Sequence, residues 1–270
     1  MKEVDFINSF FEEIRQPILN LYKKRTEIES STKTDPTDYL TKADLFVQSS
    51  FLERLYKYFP EDRLVGEESG FSDYSESMRG RTWLIDPIDG TANFLRGYFP
   101  IFCVGIAFSI GSEVVVSGVL VPTSGEIYLA EKGSGAYKND GTKIKVSNTS
   151  TLEGSCVQVD FGRRASRQDR LSYIVPTILS SGLVRCFGSA IMSFLIVAVG
   201  SSDGYVHDTL KPWDMAPGLL LVEEAGGRAT QVDGSPINIF GENRGIIVTN
   251  GLIHDELLSR INEYMKRNMK

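Results

Sequence analysis

The chain has 270 residues, room for one large domain or two closely packed halves around a sizeable core. Its apolar and charged shares match those of an ordinary globular protein, which excludes a fibrous or low-complexity chain. The formal net charge is −6 with no large basic block, which argues against nucleic acid as the main partner. A small phosphorylated substrate stays open, because a metal ion and backbone dipoles can hold such an anion.

Residues 2–29 carry Val4, Ile7, Phe10, Phe11, Ile14, Ile18, Leu21 and Tyr22 at three- and four-residue steps. That spacing predicts an amphipathic helix, with a kink or break at Pro17. The segment mixes charge with apolar residues and lacks the uninterrupted apolar core of a signal peptide. No run approaches the roughly 18–20 apolar residues a membrane helix needs. The expectation is a cytoplasmic protein without a membrane partner. The polar stretch 30–39 reads as an exposed loop or turn. A second helix is expected from Thr41 to Tyr58, with Leu45, Leu52 and Leu55 inward and Pro60 ending it.

From Thr82 to Lys145 the pattern changes. Residues 83–87 form a short buried strand, and 103–110, 113–121, 126–132 and 135–139 are β-rich runs. Gly-Ser, Pro-Thr-Ser-Gly and Asn-Asp-Gly between them are turn signals of an antiparallel meander. The second half alternates. Strands are expected at 155–161, 183–187, 204–208, 228–232 and 245–250, and helices at 168–181, 189–200, 213–225 and 251–267. The fold class is therefore layered α/β (α+β). The change near 145–155 divides the chain into halves 1–150 and 151–270 of one compact unit. Cys103, Cys156 and Cys186 are far apart and odd in number, so they read as small buried hydrophobes in a reducing compartment.

Asp86 and Asp89 stand three residues apart in Asp86-Pro87-Ile88-Asp89-Gly90-Thr91, directly after a strand. Ligands gather at the carboxyl ends of strands in α/β folds; a plain turn explains the same residues. Glu67 and Glu68 read alone as a solvated surface. Asp214 and Asp44 sit at helix starts, where capping is the default. Taken together the four segments suit one chemistry. Carboxylates brought close repel one another unless a cation neutralises them. Hard oxygen ligands select Mg²⁺, Ca²⁺ or Mn²⁺. Zinc has no ligand set here, with only His207 and His254 and no paired cysteines.

The stretches WLIDPIDGTANFLRGYFPIFCVGIAF (83–108) and WDMAPGLLLVEEAGG (213–227) resemble the two signatures of the inositol monophosphatase family. GEES (66–69) and TKAD (41–44) fall at the expected places, so the resemblance spans about residues 40–250. It implies an α/β/α/β/α sandwich and Mg²⁺-dependent, lithium-sensitive hydrolysis of a phosphate monoester in a homodimer. It assigns Glu67, Asp86, the Ile88 carbonyl, Asp89 and Asp214 to two or three Mg²⁺ ions. Gly90 and Thr91 would meet the phosphate. Asp44 and the Thr91 hydroxyl would orient the attacking water, with Glu68 beside them.

For the substrate, the resemblance points to Asp89, to Gly188, Ser189 and Ala190, and to His207. Animal members of the family carry a Glu where this chain has His207. Asp208 is expected on the opposite face by strand alternation. Inositol 1-phosphate or a related polyol or sugar phosphate is the leading substrate. Histidinol phosphate, fructose 1,6-bisphosphate and 3′-phosphoadenosine 5′-phosphate are alternatives, as is a catalytically idle relative acting through protein contacts. Pro217 is expected in the first turn of a helix capped by Asp214.

Overall fold

The N-terminal periodicity forms one helix, α1 (Glu3–Lys23), which buries Phe6, Ile7, Phe10, Phe11, Ile14 and Ile18. Pro17 lies inside it and does not end it. The carbonyl that Pro17 leaves unbonded is that of Glu13, an exposed residue, so water can satisfy it. The computed structural model describes residues 1–28, 30–33, 39–69, 77–97, 99–162 and 167–268. The stretch expected as a loop instead holds two strands. β1 (Ser30–Thr32) and β2 (Tyr39–Thr41) pair antiparallel with Ser30 opposite Thr41. β1 is exposed and polar and β2 is only three residues long, so neither carries an alternation to reveal it; residues 34–38 of the expected loop lie outside the described residues.

Helix α2 (Lys42–Tyr58) turns Ala43, Val47, Phe51 and Leu55 inward. Leu55 sits where expected, but Leu45 is 51% exposed and Leu52 is half-buried. The four-residue stripe through Ala43 and Val47 leaves Leu45 on the outer side.

Next come β3 (Arg63–Gly66), β4 (Arg81–Asp89), the short helix α3 (Thr91–Arg96), β5 (Cys103–Ile110), β6 (Glu113–Val121), β7 (Glu126–Glu131) and β8 (Gly135–Lys138). They build a six-stranded sheet in chain order, antiparallel throughout except for the parallel β3–β4 pair. β3 was not expected from the sequence. The second half adds β9 (Cys156–Val159), α4 (Arg167–Ser180), β10 (Leu183–Arg185), α5 (Ala190–Ala198), β11 (Gly204–His207), α6 (Pro212–Glu224), β12 (Arg228–Gln231), β13 (Ile246–Thr249) and α7 (His254–Asn268). Its five strands run in the order β10-β9-β11-β13-β12.

Three cores fix the layers. Phe6, Phe10, Phe51, Trp83 and Phe108 join α1 and α2 to one face of the first sheet. Trp83 is fully buried and still places its Nε1–H 2.8 Å from Asp62 Oδ2. On the other face Leu84, Cys103 and Ala107 meet Phe194, Leu220 and Val222 of α5 and α6, along with Tyr205 and Val248 of the second sheet. Val157, Val206 and Ile247 then pack under Leu257 and Ile261 of α7, and α4 lies against α7. The order is α1/α2, sheet, α5/α6, sheet, α4/α7: the expected five-layered sandwich. Each large apolar side chain so buried contributes about 1.5–3 kcal/mol.

Three expectations change in detail. The cap of α6 is Lys211, followed by Pro212 as the first helical residue. Asp214 is the third residue and reaches back, its Oδ2 accepting from the Lys211 N–H at 2.9 Å. Pro217 thus lies in the helix interior, where it packs over Gly105 of β5. All three cysteines are free, but only Cys103 is buried; Cys156 is half-buried and Cys186 exposed.

Candidate active site

The spacing of Asp86 and Asp89 would put them on opposite faces of a regular strand. A bulge corrects this. Asp86 pairs with Gly105 and Asp89 with Cys103, so three steps on β4 match two on β5. Both carboxylates then face the α5/α6 side, the side of Cys103 and Ala107. Pro87 and Ile88 supply the extra residue. The Ile88 N–H donates to Asp86 Oδ1 at 3.1 Å, and the Thr91 hydroxyl donates to the Ile88 carbonyl at 2.9 Å. Gly90 makes the exit possible: its φ is +89°, and a Cβ there would come within 2.8 Å of the Ile101 carbonyl oxygen.

Glu67 arrives from the neighbouring strand. β3 runs parallel to β4 with Gly66 beside Ile85, so Glu67 emerges next to Asp86 at the same sheet end. The Lys33 ammonium lies 2.7 Å from both Glu67 Oε1 and Glu68 Oε1. Burial works against that charge, but the Glu67 and Glu68 carboxylates hold the lysine above its ordinary range.

Asp44 and Asp214 come from helix starts. Asp44 Oδ2 accepts from the Thr41 N–H at 2.8 Å and the Thr41 hydroxyl at 2.5 Å. Its other oxygen, Oδ1, is buried with no hydrogen-bond partner. Asp89 crosses between the halves. Ser189 Oγ (2.5 Å) and the Ile191 N–H (2.7 Å) donate to its Oδ2, and the Ala190 N–H (3.2 Å) donates to Oδ1. Ser189 therefore spends its hydroxyl on orienting Asp89 at the start of α5.

Glu67, Asp86, Ile88, Asp89, Gly90, Thr91, Gly188, Ser189, Ala190, His207 and Asp214 all line one cavity of about 730 Å³. Asp44 and Glu68 stand behind that wall, close enough for their charges to act on each other. Burial pushes the Asp44 carboxyl up to about 7, with the Glu67 and Glu68 charges adding to it. Burial raises Asp214 to about 8, and Glu67 again contributes. Asp89 rises to about 6, burial being held back by its three donors. Asp86 lies well above the usual range, through burial and then the charges of Glu67, Asp89 and Asp214. So dense a set of carboxyls calls for positive charge.

The donor set suits a hard divalent cation. It is all oxygen, an ammonium already sits on Glu67, and just behind it the buried Asp44 Oδ1 has no partner. Among the described residues, no three His, Cys, Asp or Glu side chains stand arranged as a finished metal centre. Each carboxylate instead carries a protein donor, Lys33 on Glu67 and a backbone N–H on Asp86, Asp89 and Asp214.

Sequence reasoning missed part of the wall. Lys33, Asp160 and Arg170 line the cavity, and no local pattern marks them. Asp208 lines it too, against the expectation from alternation, because β11 ends at His207 and the chain turns there. Arg170 Nε lies 3.0 Å from Asp208 Oδ2. Burial alone would raise the Asp208 carboxyl; His207 and Arg170 carry it below its ordinary value.

The family model for the inositol monophosphatase family matches residues 6–268. A protein of Thermotoga maritima named fructose-1,6-bisphosphatase/inositol-1-monophosphatase is 36% identical over 240 residues, covering 87% of this chain and 86% of its own. The solved structure of the Thermotoga maritima IMPase TM1415 superposes with a TM-score of 0.85 at 30% identity, covering 99% of both chains. An IMPase/NADP phosphatase solved with Mg²⁺ and phosphate reaches 0.81 at 26% identity, over 96% of this chain and 94% of its own. Matched by the family model over residues 6–268 and by a relative 36% identical over 87% of its length, the chain belongs to the inositol monophosphatase family.

Proposed function

We propose that this chain is a phosphoric monoester hydrolase that uses Mg²⁺ to cleave the monophosphate of a polyol or sugar, inositol 1-phosphate foremost. The observation that carries the reading is the bulge in β4, which turns Asp86 and Asp89 to one face where Glu67 and Asp214 arrive from separate elements. These four carboxylates and the Ile88 carbonyl would hold two or three Mg²⁺ ions. The carbonyl oxygen has a second lone pair beside the one that Thr91 uses. Bound there, Mg²⁺ neutralises phosphoryl charge and makes water easier to deprotonate.

The chain's own groups do the rest. The N–H groups of Gly90 and Thr91, where the chain enters α3, have no partner within the helix and would meet the phosphate oxygens. The Thr91 hydroxyl and Asp44 Oδ1 align the attacking water. Buried and unpartnered, Asp44 Oδ1 is placed to take the proton that this water gives up. The water oxygen bonds to phosphorus, the P–O bond to the polyol breaks, and the departing alkoxide takes up a proton. Glu68 sits beside Glu67, where it holds the Lys33 end of the site. Three free cysteines suit a cytoplasmic setting. A homodimer would cover Ile178, Leu179 and Leu183, which α4 and β10 leave exposed.

Phosphate release from inositol 1-phosphate, histidinol phosphate, fructose 1,6-bisphosphate and 3′-phosphoadenosine 5′-phosphate tests the reading. Inositol 1-phosphate should be preferred, and Asp89→Asn should lower its turnover by roughly 100-fold or more. Asp89→Asn at wild-type rate, or preference for 3′-phosphoadenosine 5′-phosphate, would contradict it.

A further inference from the structure

Part of the cavity wall is assembled from three separate pieces of chain: Asp160 after β9, Arg170 near the start of α4, and His207 with Asp208 at the end of β11. The Arg170 guanidinium is nearly buried and fixed from several sides. Its Nε lies 3.0 Å from Asp208 Oδ2, its Nη1 2.9 Å from His207 Nε2 and 3.6 Å from Asp160 Oδ1. A guanidinium only donates, so His207 Nε2 is the acceptor of that contact. Nδ1 lies 3.2 Å from the Thr209 N–H and 3.0 Å from Asp208 Oδ1, so protein groups face it in either tautomer. Both nitrogens of His207 thus already face protein groups, and the ring has no edge left for a substrate hydroxyl.

We propose that Arg170, held by Asp160 and Asp208, determines leaving-group specificity by binding neighbouring hydroxyls of the leaving group, and that His207 is a positioning residue for it. The proposal rests on the phosphatase reading above. A guanidinium beside carboxylates offers donors and acceptors side by side, the pairing that neighbouring hydroxyls need.

The test is kcat/KM of the Mg²⁺-loaded enzyme for inositol 1-phosphate, fructose 1,6-bisphosphate and p-nitrophenyl phosphate, whose leaving group has no aliphatic hydroxyl. Arg170→Gln should lower the ratio of inositol 1-phosphate to p-nitrophenyl phosphate by roughly 10- to 100-fold, mainly through KM. Arg170→Lys, which keeps the charge without the planar fork, should lower the same ratio and serves if the first variant folds poorly. A wild type that cleaves the esters while both Arg170 variants leave the ratio within about twofold overturns the assignment alone. A wild type that releases phosphate from none of the three overturns the phosphatase reading and the assignment with it.

Discussion

Asp44 divides its carboxyl between two tasks. Oδ2 completes the start of α2 by accepting from Thr41, while Oδ1 stays buried and unpartnered. Asp44→Asn keeps an oxygen for the Thr41 N–H and removes the proton acceptor. It should lower kcat by roughly 10²- to 10⁴-fold with the melting temperature unchanged or raised, because a buried amide costs less than a buried carboxylate. Steady-state kinetics beside a thermal melt checks this; wild-type kcat would remove Asp44 from the chemistry. The residues legible in the sequence are those with a local pattern. Asp86 and Asp89 stand at the carboxyl end of a strand ahead of a Gly-Thr exit, Asp44 and Asp214 at helix starts, and Glu67 in a motif that resembles the family's. Lys33, Asp160 and Arg170 have no such pattern, because only the folded chain brings them to the cavity. His207 shows the limit from the other side: its position was found, but its saturation by Arg170 and Asp208 is a three-dimensional fact.

Elements meet at His254, the first residue of α7. It is fully buried between the Thr230 hydroxyl of β12 (2.9 Å) and the Thr249 hydroxyl of β13 (3.0 Å). Burial, then the Arg228 charge, pushes its pKa down to about 4 from 6.5. Between those values the unfolded chain binds more protons than the folded one, so stability rises with pH there. The contribution is fully present above pH 6.5 and is lost as pH falls towards 4, a change on the order of 3 kcal/mol. The site carboxyls, raised by burial, titrate with the opposite sign in both proteins, so the ring is read from the difference: the stability gap between wild type and His254→Gln in denaturant unfolding should shrink by about that amount from pH 7 to pH 4.5. An equal slope in both proteins would show that the ring does not titrate as described. The meander β5–β8 was legible because turn residues separate its β-rich runs. β3 escaped notice because it is a four-residue strand at a sheet edge with no alternation. The β1–β2 pair hid in a polar stretch. Pro17 suggested a break that the packing of α1, with Phe10, Phe11, Ile14 and Ile18 buried around it, overrides.

At the scale of the whole molecule, the two sheets meet through α5 and α6, and the cavity opens where both halves contribute. Asp89 of the first half is held by the start of α5 in the second, so the site's geometry depends on how the layers dock. The layered class followed from the order of elements. The docking did not, because it is set by which faces of α5 and α6 match both sheets. No helix among the described residues is long and apolar enough to cross a membrane. Glu67 and Asp86 from adjacent strands, Asp89 from beyond a bulge and Asp214 from α6 place their charges in one cavity. Phosphate release from inositol 1-phosphate, followed as Mg²⁺ is returned to chelator-stripped protein, puts that convergence to the most direct trial. Release should climb from baseline with added Mg²⁺ in the wild type and stay near baseline in Asp214→Asn over the same range. Full release in excess chelator would contradict a site in which these carboxylates work through a divalent cation.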